Sequence, residues 1–129
     1  MVTPFKLGLG GIIGSGKQAF SFIHIADLKE AYKYAITNDT LHDAYNLCAT
    51  IPTTNNGLTK ALGKTLDKPT FFKVPSFILK LQLGEGAKVL LDGQAVVPKR
   101  LKESGFKFKY ETIECAIDNL LKDNLEKTE

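Results

Sequence analysis

Phe20-Ser21-Phe22-Ile23-His24-Ile25-Ala26-Asp27-Leu28-Lys29-Glu30-Ala31-Tyr32 contains a change of hydrophobic period, and the fold class is read from it. Phe20, Phe22, Ile23 and Ile25 form a short aromatic and β-branched run around His24, the composition of a strand buried on at least one face. From Asp27 the period becomes helical. Leu28, Ala31, Tyr32, Ala35 and Ile36 recur at three- and four-residue steps, and Asn38-Asp39 stops the helix. Asp27 is expected as the N-cap, with Glu30 three residues later completing a capping-box pair. Tyr32 is expected to pack on the helix face and Tyr34 to lie at the surface.

The same alternation continues outward. Ala44-Tyr45-Asn46-Leu47-Cys48 reads as a second strand, and Pro52 to Asn56 as a turn capping a helix whose apolar face is Leu58, Ala61, Leu62 and Leu66. Pro69 breaks that helix, and Phe71-Phe72-Lys73-Val74 reads as a third strand. Pro75-Ser76 opens a helix that Gly84 stops, with a further helical turn from Glu85 to Leu91. Pro98 precedes a short helix through Leu101 that ends at Gly105. Phe106-Lys107-Phe108 alternates like an edge strand, and Thr112 caps a last helix carrying Ile113, Ala116, Ile117, Leu120 and Leu121. The charged tail 123–129 is expected to fray. Strands alternating with helices predict an α/β domain (α+β when isolated), a small mixed sheet covered by helices.

Before this pattern stands a segment of different character. Gly8, Gly10, Gly11, Gly14 and Gly16 crowd into residues 8–16, so 1–19 is expected to be a glycine-rich loop after a turn-like Val-Thr-Pro start. The 129 residues suit one domain over 1–129, long enough to bury a core without disulfide staples. Hydrophobic residues at 43% and charged residues at 24% exclude disordered and collagen-like classes. The longest apolar runs fall far short of a membrane span, and no signal segment opens the chain; a soluble, cytoplasmic protein without membrane contact is expected. The net charge of +3 is mild and the lysines are scattered, so no nucleic-acid partner is expected. Cys48 and Cys115 are expected as reduced core residues. His24 and His42 lack the clustered ligands of a metal site.

Gly11-Ile12-Ile13-Gly14-Ser15-Gly16-Lys17 matches the G-x-x-x-x-G-K spacing of a phosphate-cradling loop, in which backbone N–H groups and a lysine surround phosphates. Gln18 stands where the metal-binding hydroxyl belongs, no strand is expected before the loop, and a strand rather than a helix follows it. The reading that fits this context is a substrate-side or interface loop. No G-x-G-x-x-G run is present, because Ile13 stands where the third glycine belongs, and neither Tyr32 nor Tyr110 is followed four residues later by lysine. The chain alone is therefore expected to bind no dinucleotide and to activate no phenol. His24 and Asp27 could form an acid/base pair. The capping box accounts for Asp27 instead, and His24 is expected to bond the local backbone. Lys99-Arg100 could meet a phosphate at a helix start, although a solvated basic turn is the commoner meaning of such a pair.

The order of these segments resembles the second half of sugar-nucleotide epimerase-like proteins of the extended short-chain dehydrogenase/reductase family. The resemblance is carried by Pro4 to Gly11, Gly14 to Gln18, Phe22 to Leu28, Tyr45-Asn46-Leu47, Ala61-Leu62-Gly63, Val74-Pro75, Gly84-Glu85, Pro98 to Leu101 and Gly105-Phe106. It implies a C-terminal substrate-binding portion, not catalytic alone, of an NAD(P)-dependent nucleotide-sugar epimerase- or reductase-like protein. It also implies that NAD or NADP and the proton-transfer groups belong to an N-terminal Rossmann half not in this chain. Many nucleotide-sugar members have an arginine where Phe20-Ser21 stand here, a departure that bears on the ligand. Expected substrate contacts are Gly10, Gly11, Lys17, Gln18 and Phe20, with Arg100 behind them; no catalytic, cofactor-binding or metal-binding residue is expected. The expected partners are a sugar-nucleotide-like small molecule and the Rossmann half. The alternative is a non-catalytic module that associates with itself or with another protein.

Overall fold

The computed structural model describes residues 2–75 and 92–126, with Phe77, Leu81 and Gly84 as isolated positions between them. In chain order the elements are α1 (Val2–Lys6), β1 (Gly11–Ile13), β2 (Ala19–Phe20), α2 (Ile25–Thr37), β3 (Thr53–Thr54), α3 (Asn55–Thr65), β4 (Phe72–Val74), α4 (Lys99–Glu103) and α5 (Ile113–Glu126). The mixed helix-and-strand class is as expected, but the described strands form two separate two-stranded ladders. β1 pairs parallel with β4, Gly11 opposite Phe72, and β2 pairs antiparallel with β3, Ala19 opposite Thr54.

Two apolar clusters hold these pieces. The first joins α1, α3 and α5 through Phe5, Leu58, Ala61, Leu62, Ile113, Ile117 and Leu121, with Phe20 and Phe22 packed against it. The helical period of α3 and α5 places these side chains on facing stripes, and each fully buried one contributes about 1.5–3 kcal/mol. The second joins α2 to α4 and the following loop through Ala31, Leu101 and Phe106, flanked by Tyr34, Tyr45, Leu47 and Phe108.

Several expectations change in the folded chain. The segment 1–19 is not all loop, because Val2–Lys6 is one helical turn pinned by buried Phe5, and Gly11–Ile13 is a strand. Packing rather than propensity sustains so short a helix. A Cβ at Gly11 would collide with the Phe72 carbonyl, so glycine is what lets β1 approach β4. Phe22 to His24 and Ala44 to Cys48 lie outside any ladder, and Ile25 belongs to α2. Phe106 to Phe108 forms no strand; its alternation serves an aromatic stack, with Phe106 at 5.5 Å from Tyr34 and 4.8 Å from Phe108 between ring centres. Tyr34 is the packed tyrosine of α2, donating from its hydroxyl to the Ser104 carbonyl at 2.6 Å, while Tyr32 is exposed. Cys48 is buried but Cys115 is exposed on α5. Helix α5 continues to Glu126, past the expected onset of fraying at 123, and 127–129 lie outside the described residues. The helix expected from Pro75 to Gly84 and the turn from Glu85 to Leu91 also fall, apart from isolated positions, outside them.

Candidate functional site

The glycine-rich turn is built onto the start of α3. Gly14 and Gly16 have positive φ values of 56° and 71°, which reverse the chain between β1 and β2. The Ile13 peptide is held on both sides: its N–H donates to Asn55 Oδ1 at 2.9 Å, and its carbonyl accepts from Gln18 Nε2 at 3.0 Å. The first N–H groups of α3 are consumed in the same junction. Asn55 N donates to the Gln18 carbonyl and Asn56 N to the Gly16 carbonyl, each at 3.0 Å, and Gly57 N donates to Thr54 Oγ1 at 3.1 Å. A helix start whose donors are already paired offers little to a pyrophosphate. The residues of this turn therefore do not fit a dinucleotide cradle.

The expected ligand residues divide accordingly. Gly10 is buried against the Phe5 ring, Gly11 lies within β1, Gln18 clamps the Ile13 peptide, and Phe20 packs on the first cluster. These four shape the turn from inside. Lys17 is exposed, and its ammonium makes no hydrogen bond or ion pair among the described residues. Arg100 lies apart, beside the second cluster. Its guanidinium donates to the carbonyls of Ala44 at 2.8 Å and His42 at 3.2 Å, reaches Asp43 Oδ2 at 3.3 Å, and lies 4.8 Å from the centre of the Tyr45 ring. The side chain is half exposed, and these bonds tie the 42–45 loop to α4.

His24 bonds the local backbone as expected, and it, not Asp27, is the cap of α2: its Nδ1 accepts from Ala26 N at 3.1 Å, and its ring stacks on Tyr110 at 3.8 Å. Its Nε2 is buried with no hydrogen-bond partner among the described residues. Asp27, only 3% exposed in the first turn, accepts from Lys109 N at 2.9 Å and Tyr110 N at 2.8 Å. Its carboxylate is thus spent on a tertiary clamp, not on a capping box or on proton transfer. Sequence reasoning missed this clamp and Asn55; an Asn opening a helix after Thr-Thr was the available signal for the second. Burial pushes the Cys48 thiol pKa up. Among the described residues no group of three or more His, Cys, Asp or Glu side chains could hold a metal, and no helix is long and apolar enough to cross a membrane. Shallow clefts lined by Gly63, Lys64, Lys68 and Phe71, and by Glu30, Tyr34, Phe106 and Lys107, contain none of the expected ligand residues.

Residues 74–120 match a family model described as a domain of unknown function, DUF1731. The chain is 39% identical over 122 residues to epimerase family protein SDR39U1 of Mus musculus, covering 94% of this chain and 42% of that protein. It is 42% identical over 117 residues to the chloroplastic homologue of Arabidopsis thaliana, covering 91% and 34%. Among solved structures, human epimerase family protein SDR39U1 crystallised with NADPH superposes with a TM-score of 0.87 at 34% identity, covering 92% of this chain and 41% of that one. A nucleoside-diphosphate sugar epimerase from Corynebacterium glutamicum superposes at 0.65 with 28% identity, over 90% of this chain and 21% of that one. These likenesses place the chain with the epimerase-like proteins of the short-chain dehydrogenase/reductase kind. More narrowly, it corresponds to the C-terminal part of epimerase family proteins such as SDR39U1, and it spans less than half the length of those relatives.

Proposed function

We propose that the chain is the substrate-side portion of an NAD(P)-dependent epimerase- or reductase-like protein, and that it performs no chemistry alone. The carrying observation is the superposition on an NADPH-bound epimerase family protein over 92% of this chain but only 41% of that one. The remaining length of such a protein is where the dinucleotide and the proton-transfer groups are held in this reading. The nicotinamide cofactor supplies hydride chemistry when bound there. This chain contributes a wall of the substrate cleft, with the 14–18 turn fixed by Gln18 and Asn55 and with Lys17 presented to an anionic, sugar-nucleotide-like ligand. Gly10, Gly11, Gln18 and Phe20 shape that wall. Arg100 acts behind it by holding the 42–45 loop.

The test joins the chain to the N-terminal part of the mouse relative and compares Lys17→Ala with the parent. Loss of one exposed charge–phosphate contact should weaken nucleotide-sugar binding about 5- to 10-fold, with NADPH affinity and melting temperature unchanged. Unchanged sugar-nucleotide affinity would remove Lys17 from the site. A second reading, an interaction module without ligand, is favoured by the exposure of Phe71 (90%) and Ile36 (81%). A stable dimer by gel filtration, with no nucleotide-sugar response in the joined protein, would select it.

A further inference from the structure

Scattered along the sequence, the lysines are not balanced everywhere by acids. Residues 57–75 contain Lys60, Lys64, Lys68 and Lys73 against a single acid, Asp67, and so carry the whole formal excess of +3 while the rest of the chain is neutral. All four lysines are exposed, and among the described residues none of their ammonium groups makes an ion pair or a hydrogen bond. Lys60 and Lys64 stand one turn apart on α3, a spacing at which like charges weaken a helix. This is an electrostatic debt that the chain itself does not settle.

The fold gathers the charge around a cleft at the C-terminal end of α3. The chain reverses at Asp67, whose φ is 50°, and Lys68 N donates to the Gly63 carbonyl at 2.9 Å. The 68–70 loop returns so close to the helix that a Cβ at Gly63 would collide with Thr70, so glycine is what permits the approach. Lys64 and Lys68 line the resulting space of about 410 Å³ together with Asp67, Thr70 and Phe71. The Phe71 ring is 90% exposed and Phe72 beside it 55%. A single exposed ring is ordinary, but an aromatic wall rimmed by unpaired ammonium groups has the make-up of a protein-recognition surface, an apolar anchor point inside a charged rim.

We infer that the Lys64–Lys68–Phe71 cleft is a docking site for an acidic segment of another protein. Such a segment supplies carboxylates for the lysines and an aromatic or branched apolar residue for the Phe71 wall. Two other polyanions fit less well. Single-stranded nucleic acid needs successive rings on one face, whereas Phe71 and Phe72 are neighbours on an extended chain and point to opposite sides. A bilayer is flat and takes up an apolar face, whereas Phe71 forms the wall of a concavity that also holds the Asp67 carboxylate. The cleft lies about 12 Å along α3 from Asn56 and the glycine turn. It is therefore separate from the proposed substrate wall and does not depend on it.

Fluorescence anisotropy of the 129-residue chain with a labelled random copolymer of glutamate and tyrosine is the test. Saturable binding is expected, and polyglutamate, which has no ring, should bind at least about 10-fold more weakly. Lys64→Glu combined with Lys68→Glu, and separately Phe71→Ser, should each weaken copolymer binding at least about 10-fold at an unchanged melting temperature. Lys102→Glu combined with Lys107→Glu alters the net charge equally and should leave affinity within about twofold. Equal losses in the two charge-reversed pairs would mean that net charge alone attracts the polymer, and would overturn the proposal. So would the absence of saturable copolymer binding. Tighter binding of polyuridylate or of phosphatidylserine vesicles would assign the cleft to RNA or to a membrane instead. The chain joined to the non-matching part of the mouse relative should bind the copolymer as tightly as the chain alone; loss of binding there would show that this part covers the cleft, and would overturn the proposal as well.

Discussion

Replacing Asp27 tests whether one buried carboxylate holds the start of α2 to the 109–110 loop. Both of its oxygens are used, accepting from Lys109 N at 2.9 Å and Tyr110 N at 2.8 Å, and the residue is 3% exposed. A hydrogen bond to a charged acceptor is worth about 1.5–3 kcal/mol net. The negative charge in the first turn of a helix adds about 0.5 kcal/mol. The two amides lie on a partly exposed loop and regain some water when released, which argues for the lower end of each range. Asp27→Ala is therefore expected to cost about 3 kcal/mol. Asp27→Asn keeps one accepting oxygen but turns an NH₂ group toward the other N–H, and is expected to cost about 2 kcal/mol. In urea melts followed by far-ultraviolet circular dichroism, those losses move the midpoint down by roughly 1–2 M at a slope of about 1.5–2 kcal/mol/M. Hydrogen exchange at Lys109 and Tyr110 should rise in step. A midpoint within about 0.3 M of the parent for both variants would refute the reasoning, because it would mean that the carboxylate clamps nothing.

Other outcomes follow from the same contacts. Gly11→Ala should destabilise the chain by about 1–3 kcal/mol, because its methyl meets the Phe72 carbonyl across β1 and β4; an unchanged urea midpoint would mean that the strands are not so closely paired. Iodoacetamide should label exposed Cys115 quickly and buried Cys48 only as the protein unfolds, read by mass spectrometry; equal labelling rates would contradict the burial of Cys48. Burial raises the Cys48 pKa in the folded chain, so the folded state holds that proton more tightly than the unfolded state does. Stability should therefore fall as pH rises above about 9, an effect that Cys48→Ala abolishes; persistence of the same slope in the variant would assign it elsewhere.

Much of the fold was legible because helical periodicity is local. The stripes Leu58-Ala61-Leu62 and Ile113-Ala116-Ile117-Leu121 are the buried faces of α3 and α5, and Thr54 caps the first of these helices. Phase was harder than period. Tyr32 and Tyr34 sit two residues apart on α2, and only the position of Phe106 and Ser104 decides which one packs. The runs 44–48 and 106–108 have strand composition without strand pairing, because pairing depends on a neighbour that composition cannot reveal. The cap of α2 fell to His24 and not to Asp27 for a related reason. Either side chain can cap a helix, and the amides of Lys109 and Tyr110, distant in sequence, claim the carboxylate. In the glycine turn the sequence marked the positive-φ glycines but not the bonds that its other residues make. Gln18 is a clamp and Arg100 a loop tether, roles set by carbonyls that no local pattern encodes.

Titration calorimetry of the 129-residue chain with NADPH, and in parallel NADH, tests most directly whether the dinucleotide belongs elsewhere. With the N–H groups of Asn55, Asn56 and Gly57 already paired, the glycine turn should give no saturable heat with either nucleotide. Saturable binding with micromolar affinity would contradict the assignment of this chain to the substrate side alone.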